Sequence, residues 1–95
     1  MAGKKPMQKR RRVTFRLVST EASEIFVVGD FNDWEARKHP MKPDGTGSWK
    51  KVLMLKPGRY EYRFRVDGRW CDDPENDHRV PNCFGSQNNV VQVPD

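Results

Sequence analysis

At 95 residues, 35% hydrophobic and 33% charged, the chain can hold one domain with a single small core. No apolar run approaches the roughly 20 residues of a membrane span, and no apolar segment of a secretory leader follows the basic N-terminus, so a cytoplasmic protein without membrane contact is expected. The net charge of +5 is uneven: six of 18 basic residues (Lys4, Lys5, Lys9, Arg10, Arg11, Arg12) fall in the first dozen positions, leaving twelve against 13 acidic ones.

Residues 1–12 therefore read as a disordered basic tail and residues 13–95 as the folded domain. A folded nucleic-acid binder usually carries its basicity on a face of the domain, so nucleic acid is not an expected partner. Beyond the tail, Val13, Phe15 and Leu17 alternate with Thr14 and Arg16, the period of a half-buried strand. A polar turn over 19–23 precedes an apolar strand at 25–28. Residues 29–34, Gly-Asp-Phe-Asn-Asp-Trp, are rich in types that tolerate turn conformations. The polar stretch 35–47, with Pro40 and Pro43, reads as a long connection, and 49–55 as a strand with Trp49, Leu53 and Leu55 in phase toward a core.

The clearest signal comes next. Tyr60, Tyr62, Phe64 and Val66 alternate with Glu61, Arg63 and Arg65, and Asp67-Gly68 is a favoured pair for a two-residue type I′ hairpin turn. That register pairs Val66 with Arg69, Arg65 with Trp70 and Phe64 with Cys71. Paired antiparallel residues share a side of the sheet, so Trp70 is expected on the outer face with Arg63 and Arg65, and Cys71 on the inner face beside Phe64. Residues 72–87 read as another polar loop and 89–93 as a final strand. With no segment of helical periodicity and at least five short strands, the expected fold is an all-β sandwich.

Several stretches are recognisable in order: 26–34 (Phe-Val-Val-Gly-Asp-Phe-Asn-Asp-Trp), Trp49 with Leu53 and Leu55, 57–64 (Pro-Gly-Arg-Tyr-Glu-Tyr-Arg-Phe), 66–70 (Val-Asp-Gly-Arg-Trp), Asp73-Pro74, and 84–91 (Phe-Gly-Ser-Gln-Asn-Asn-Val-Val). Together they resemble carbohydrate-binding module family 48, the early-set immunoglobulin-like domain that accompanies isoamylases and glycogen-branching enzymes and occurs in the β subunit of AMP-activated protein kinase. The resemblance, over residues 13–94, implies an immunoglobulin-like β-sandwich that binds α-1,4-glucan (glycogen, starch, maltooligosaccharides or cyclodextrin) without catalysing a reaction or needing a cofactor. Two tryptophans that flank the glucan in the family fall on Trp34 and Trp70. The basic residue before the hairpin falls on Arg63, where lysine is common, and the late loop supplies Phe84, Ser86 and Asn88, with phenylalanine replacing a smaller aliphatic residue and serine replacing threonine.

These residue types suit a sugar. An indole face carries negative charge density and accepts the polarised C–H groups of a pyranose face, while Arg63 and Asn88 offer directional hydrogen bonds to rim hydroxyls. Other chemistries find less support. Cys71 and Cys83 lack metal-binding spacing and are expected as free thiols. Asp72, Asp73, Glu75, Asp77 and His78 lack the calcium-loop pattern and read as a solvated loop; their carboxylates have no deep cleft in which to act as a glycosidase pair. A protein-interaction or regulatory module associated with a glycan-metabolising enzyme or a kinase is the alternative from another functional class.

Overall fold

A computed structural model describes residues 9–95. Among these residues eight strands follow in chain order: β1 (Arg11–Val18), β2 (Ile25–Gly29), β3 (Lys42–Pro43), β4 (Ser48–Leu55), β5 (Gly58–Val66), β6 (Arg69–Cys71), β7 (Arg79–Pro81) and β8 (Gln87–Val93), with a 3-10 turn at Asp30–Asn32. One antiparallel sheet has the order β1-β4-β3; the other runs β2-β5-β8-β7, with β6 also paired to β5. The protein is thus an all-β sandwich of two antiparallel sheets.

Alternation builds the core. Phe15, Leu17, Trp49, Leu53 and Leu55 face inward from the first sheet and meet Ile25, Val27, Tyr62, Phe64 and Val93 from the second. Phe15 meets Tyr62 edge to face, with ring centroids 4.9 Å apart, a favoured aromatic geometry. Trp49 is buried as expected, and its indole N–H donates to the Ser19 carbonyl oxygen at 3.0 Å.

β5 is the hub of the second sheet. One edge pairs with β2 over residues 62–66, and the other is divided between β8 at 58–62 and β6 at 64–66. The hairpin has the register read from Asp67-Gly68: Val66 opposite Arg69, Arg65 opposite Trp70, Phe64 opposite Cys71. Asp67 (φ 47°) and Gly68 (φ 84°) both take the positive φ of a type I′ turn. Asp67 also accepts from the Ser23 and Glu24 N–H groups, tying the hairpin to the segment before β2.

Several sequence expectations change. β1 begins at Arg11, and Arg11 and Arg12 pair with Leu55 and Met54; β4 extends far enough to give both a ladder partner, so the strand starts two residues before Val13. Of the rest of the expected tail, Lys9 and Arg10 precede the strand, with the Arg10 guanidinium donating to the Met54 carbonyl oxygen at 3.2 Å, and residues 1–8 lie outside the described residues. The connection 35–47 is not free: Val27 N–H donates to the His39 carbonyl at 3.1 Å, Met41 N–H donates to Ile25 at 2.8 Å, and Lys42–Pro43 joins β4. It thereby covers the otherwise open edge of β2 and delivers Met41 to the core; prolines, which cannot donate to a ladder, hid this. The loop 72–87 contains β7, another proline-bearing edge strand. Asp73 is not solvated but buried, accepting from the Tyr62 hydroxyl at 2.7 Å.

Candidate functional site

The second sheet and its loops form a groove of about 650 Å³. It is lined by all six residues singled out in the sequence (Trp34, Arg63, Trp70, Phe84, Ser86 and Asn88) and also by Asp30, Glu61, Pro81, Asn82 and Cys83. Its walls come from three distant parts of the chain: the turn after β2, the β5–β6 hairpin and the β7–β8 connection.

Trp34 arrives by an unusual backbone path. The chain leaves β2 at Gly29, where a Cβ would lie 2.4 Å from the Glu61 carbonyl oxygen, so strands β2 and β5 approach too closely for a side chain. Asn32 braces the following turn from within: its Oδ1 accepts from Gly29 N–H at 3.0 Å, and its Nδ2 donates to the Val27 carbonyl at 3.0 Å and to His39 Nδ1 at 2.9 Å. His39 is therefore neutral at Nδ1, in keeping with a pKa lowered by burial and by Lys51 and Lys38. Asp33 (φ 55°) and Trp34 (φ 60°) are both left-handed, a region rare for a bulky residue and common where structure is held for a purpose. Trp34 N–H donates to the Gly29 carbonyl at 2.9 Å.

Trp70 stands on the outer face of β6, as the hairpin register requires, and is 41% exposed. The Arg65 guanidinium lies 4.7 Å from its ring centroid, a cation–π contact that supports one face of the indole. The Trp34 and Trp70 rings are 6.4 Å apart at 59°. Carbon–carbon contacts need about 3.5–4.0 Å on each side of a sandwiched ring, so parallel walls around a pyranose would stand about 8 Å apart. The two indoles are instead adjoining facets of one bent apolar surface.

The floor beside this surface is polar and mutually bonded. Arg63, mostly buried, donates from Nη2 to Asp72 Oδ1 at 3.1 Å and from Nη1 to Ser86 Oγ at 3.3 Å. Asn82 holds the next turn together: its Oδ1 accepts from the Phe84 and Ser86 N–H groups, and its Nδ2 donates to Ser86 Oγ and to Asn88 Oδ1. Asn88 Nδ2 in turn donates to Glu61 Oε1 at 3.0 Å. Asn88 is not a loop residue, as the sequence suggested, but a buried residue of β8. Phe84 stands at the rim and is 88% exposed. Fixed polar groups beside a bent aromatic surface can orient hydroxyls around an apolar ring without reorganising.

The sequence reading missed Asp30, Glu61 and Asn82. All three bond to residues remote in sequence or to backbone, and only the Asp-Phe-Asn turn signal hinted at the first. Among the described residues there is no group of three or more His, Cys, Asp or Glu side chains placed to hold a metal ion, and no helix is long and apolar enough to cross a membrane.

Comparison with known proteins agrees with this architecture. Residues 12–95 match the family described as the glycogen recognition site of AMP-activated protein kinase. The human 5'-AMP-activated protein kinase subunit beta-2 is 33% identical over 89 residues, covering 94% of this chain and 31% of that subunit. Protein FLOURY ENDOSPERM 6, chloroplastic, of rice (Oryza sativa subsp. japonica) is 35% identical over 82 residues, 86% of this chain and 15% of the relative. The 1,4-alpha-glucan branching enzyme GlgB of a Bradyrhizobium species is 35% identical over 66 residues, 70% of this chain and 9% of the enzyme. The chain thus spans about a third or less of the length of these relatives. With the family match running from the second residue of β1 to the C-terminus, this chain belongs to the glycogen-recognition family of carbohydrate-binding modules, a non-catalytic class of domain.

Proposed function

We propose that the groove binds a turn of α-1,4-glucan, with adjacent glucosyl units stacked on Trp34 and Trp70 and Phe84 as a third apolar contact at the rim. The observation that carries this reading is the 59° angle between two neighbouring indoles. A curled α-1,4 chain turns successive sugar faces relative to one another, whereas a flat β-1,4 ribbon suits coplanar rings. Arg63, Ser86 and Asn88 supply hydroxyl contacts from the bonded floor. No covalent step and no cofactor enter this function; the module brings whatever it is attached to or associates with to glycogen or starch. Stacking and a few hydrogen bonds, less the ordering cost, give about −4 to −8 kcal/mol for a short oligosaccharide, millimolar to micromolar binding. Titration with maltoheptaose and β-cyclodextrin, followed residue by residue by NMR, tests it, with cellohexaose as the control. Shifts confined to residues outside the groove, or equal affinity for cellohexaose, would refute it.

A second reading, docking to an enzyme or kinase partner, is favoured by the other sheet. Val18, Val52 and Met54 are exposed there beside Arg12, Arg16 and Lys50 on the outer face of β1 and β4. The two readings are compatible, since the groove and this face lie on different sheets. Retention on amylose resin, with and without soluble maltooligosaccharide, isolates the first. Among compartments we favour the cytoplasm; the rice relative is chloroplastic by name, and imaging of a tagged chain in its native cell distinguishes the two.

A further inference from the structure

We propose that Asp30 is a positioning residue of the groove, setting the direction in which Trp34 presents its ring. This rests on the α-glucan reading above. Where β2 leaves β5 after Gly29, the Asp30 carboxylate takes over from the departing backbone: its Oδ2 accepts from the Glu61 N–H of β5 at 2.7 Å. Its Oδ1 accepts from the Trp34 indole N–H at 3.0 Å. One side chain thus ties the loop that carries the first tryptophan to the strand whose Arg65 supports the second. Only a carboxylate of this length offers both acceptors; asparagine would turn an NH2 toward one of two N–H donors.

The tie has a purpose that the backbone alone does not serve. Trp34 sits on a short left-handed turn, and a loop indole free to rotate about its side-chain bonds would lose that freedom on binding sugar, at a cost in affinity. Holding the indole N–H beforehand removes that cost. It also occupies the Trp34 N–H, so Trp34 acts on sugar through its ring face and not as a hydrogen-bond donor.

The test compares the wild-type chain with Asp30→Ala, Asp30→Asn, Trp34→Phe and the Asp30→Ala/Trp34→Phe double variant. Maltoheptaose affinity is measured by calorimetry, and solvent exchange of the Trp34 indole proton by NMR. Asp30→Ala is expected to weaken binding roughly five- to thirtyfold and to speed the indole exchange, with Asp30→Asn intermediate. In the Trp34→Phe background, which has no indole N–H, removing Asp30 should change affinity less than twofold. An equal loss in that background would place the effect at the Glu61 amide and overturn the proposal, as would wild-type affinity in Asp30→Ala. Should Asp30→Ala not fold, Asp30→Asn carries the same comparison. If the wild-type chain fails to bind maltoheptaose, the α-glucan reading falls, but the indole exchange still decides the positioning role: unchanged exchange overturns it, and faster exchange supports it.

Discussion

Replacing Phe84 by alanine separates binding from folding more cleanly than any other change in the groove. A phenylalanine can bury about 150–250 Å², and this one is 88% exposed, so folding hides only a few tens of Å² of it. At about 25 cal/mol per Å², that amounts to about 0.5 kcal/mol of stability, or a melting shift of about 2–4 °C for a domain of this size. Binding is different. A glucosyl unit resting on one side of the ring would cover about 75–100 Å², about 2 kcal/mol of apolar burial. After the cost of ordering the side chain, Phe84→Ala should weaken maltoheptaose binding roughly five- to thirtyfold. Calorimetric titration and differential scanning calorimetry on the same sample read the two quantities. Unchanged affinity would remove Phe84 from the site, and a melting temperature lower by about 10 °C or more would mean that the ring packs in solution.

The remaining predictions concern the two indoles, the buried phenol and the thiols. Trp34→Ala and Trp70→Ala should each cost about 1–3 kcal/mol of glucan binding, the usual range for an aromatic anchor; affinity unchanged in folded protein would assign the rings to packing. Burial holds the Tyr62 hydroxyl well above its usual pKa of 10.0, with Asp73 adding to the effect and Asn76 opposing it. The native state therefore keeps this proton where the unfolded chain loses it, so this contribution is full below pH 10 and falls above it by up to about 1.4 kcal/mol per pH unit. Tyr62→Phe should abolish that alkaline slope in denaturant titrations while costing about 1.5–3 kcal/mol at neutral pH, because Asp73 Oδ2 loses its donor; an unchanged slope would show that another group titrates. Cys83, exposed at the groove, should react with a thiol reagent before the half-buried Cys71, and more slowly with sugar bound; faster labelling of Cys71 would contradict the hairpin register.

Whatever depends on local pattern can be read from the order of the residues. Strict alternation through Tyr62 and Phe64 places their side chains inward, and the positive φ demanded at Asp67 and Gly68 sets the hairpin register that puts Trp70 outside. Those are short-range consequences of the pleat and of turn sterics. Tertiary structure alone decided what depends on partners far along the chain. The segment at His39 and Met41 looks like a loop because proline interrupts it, yet it closes the edge of β2, where open backbone groups would otherwise be exposed. Asp73 looks like one solvated acid among several, yet it is buried because the Tyr62 phenol, forced inward by alternation, needs an acceptor. Trp34 and Trp70 become neighbours only because β2 and β6 both pair with β5, and the angle between their rings depends on a left-handed turn tied to Asp30. No periodicity encodes a side-chain hydrogen bond between residues brought together by folding, so the hairpin pattern placed Arg63 and Trp70, the family resemblance supplied Trp34, Phe84, Ser86 and Asn88, and neither reached Asp30, Glu61 and Asn82 or the bonds that hold the groove in place.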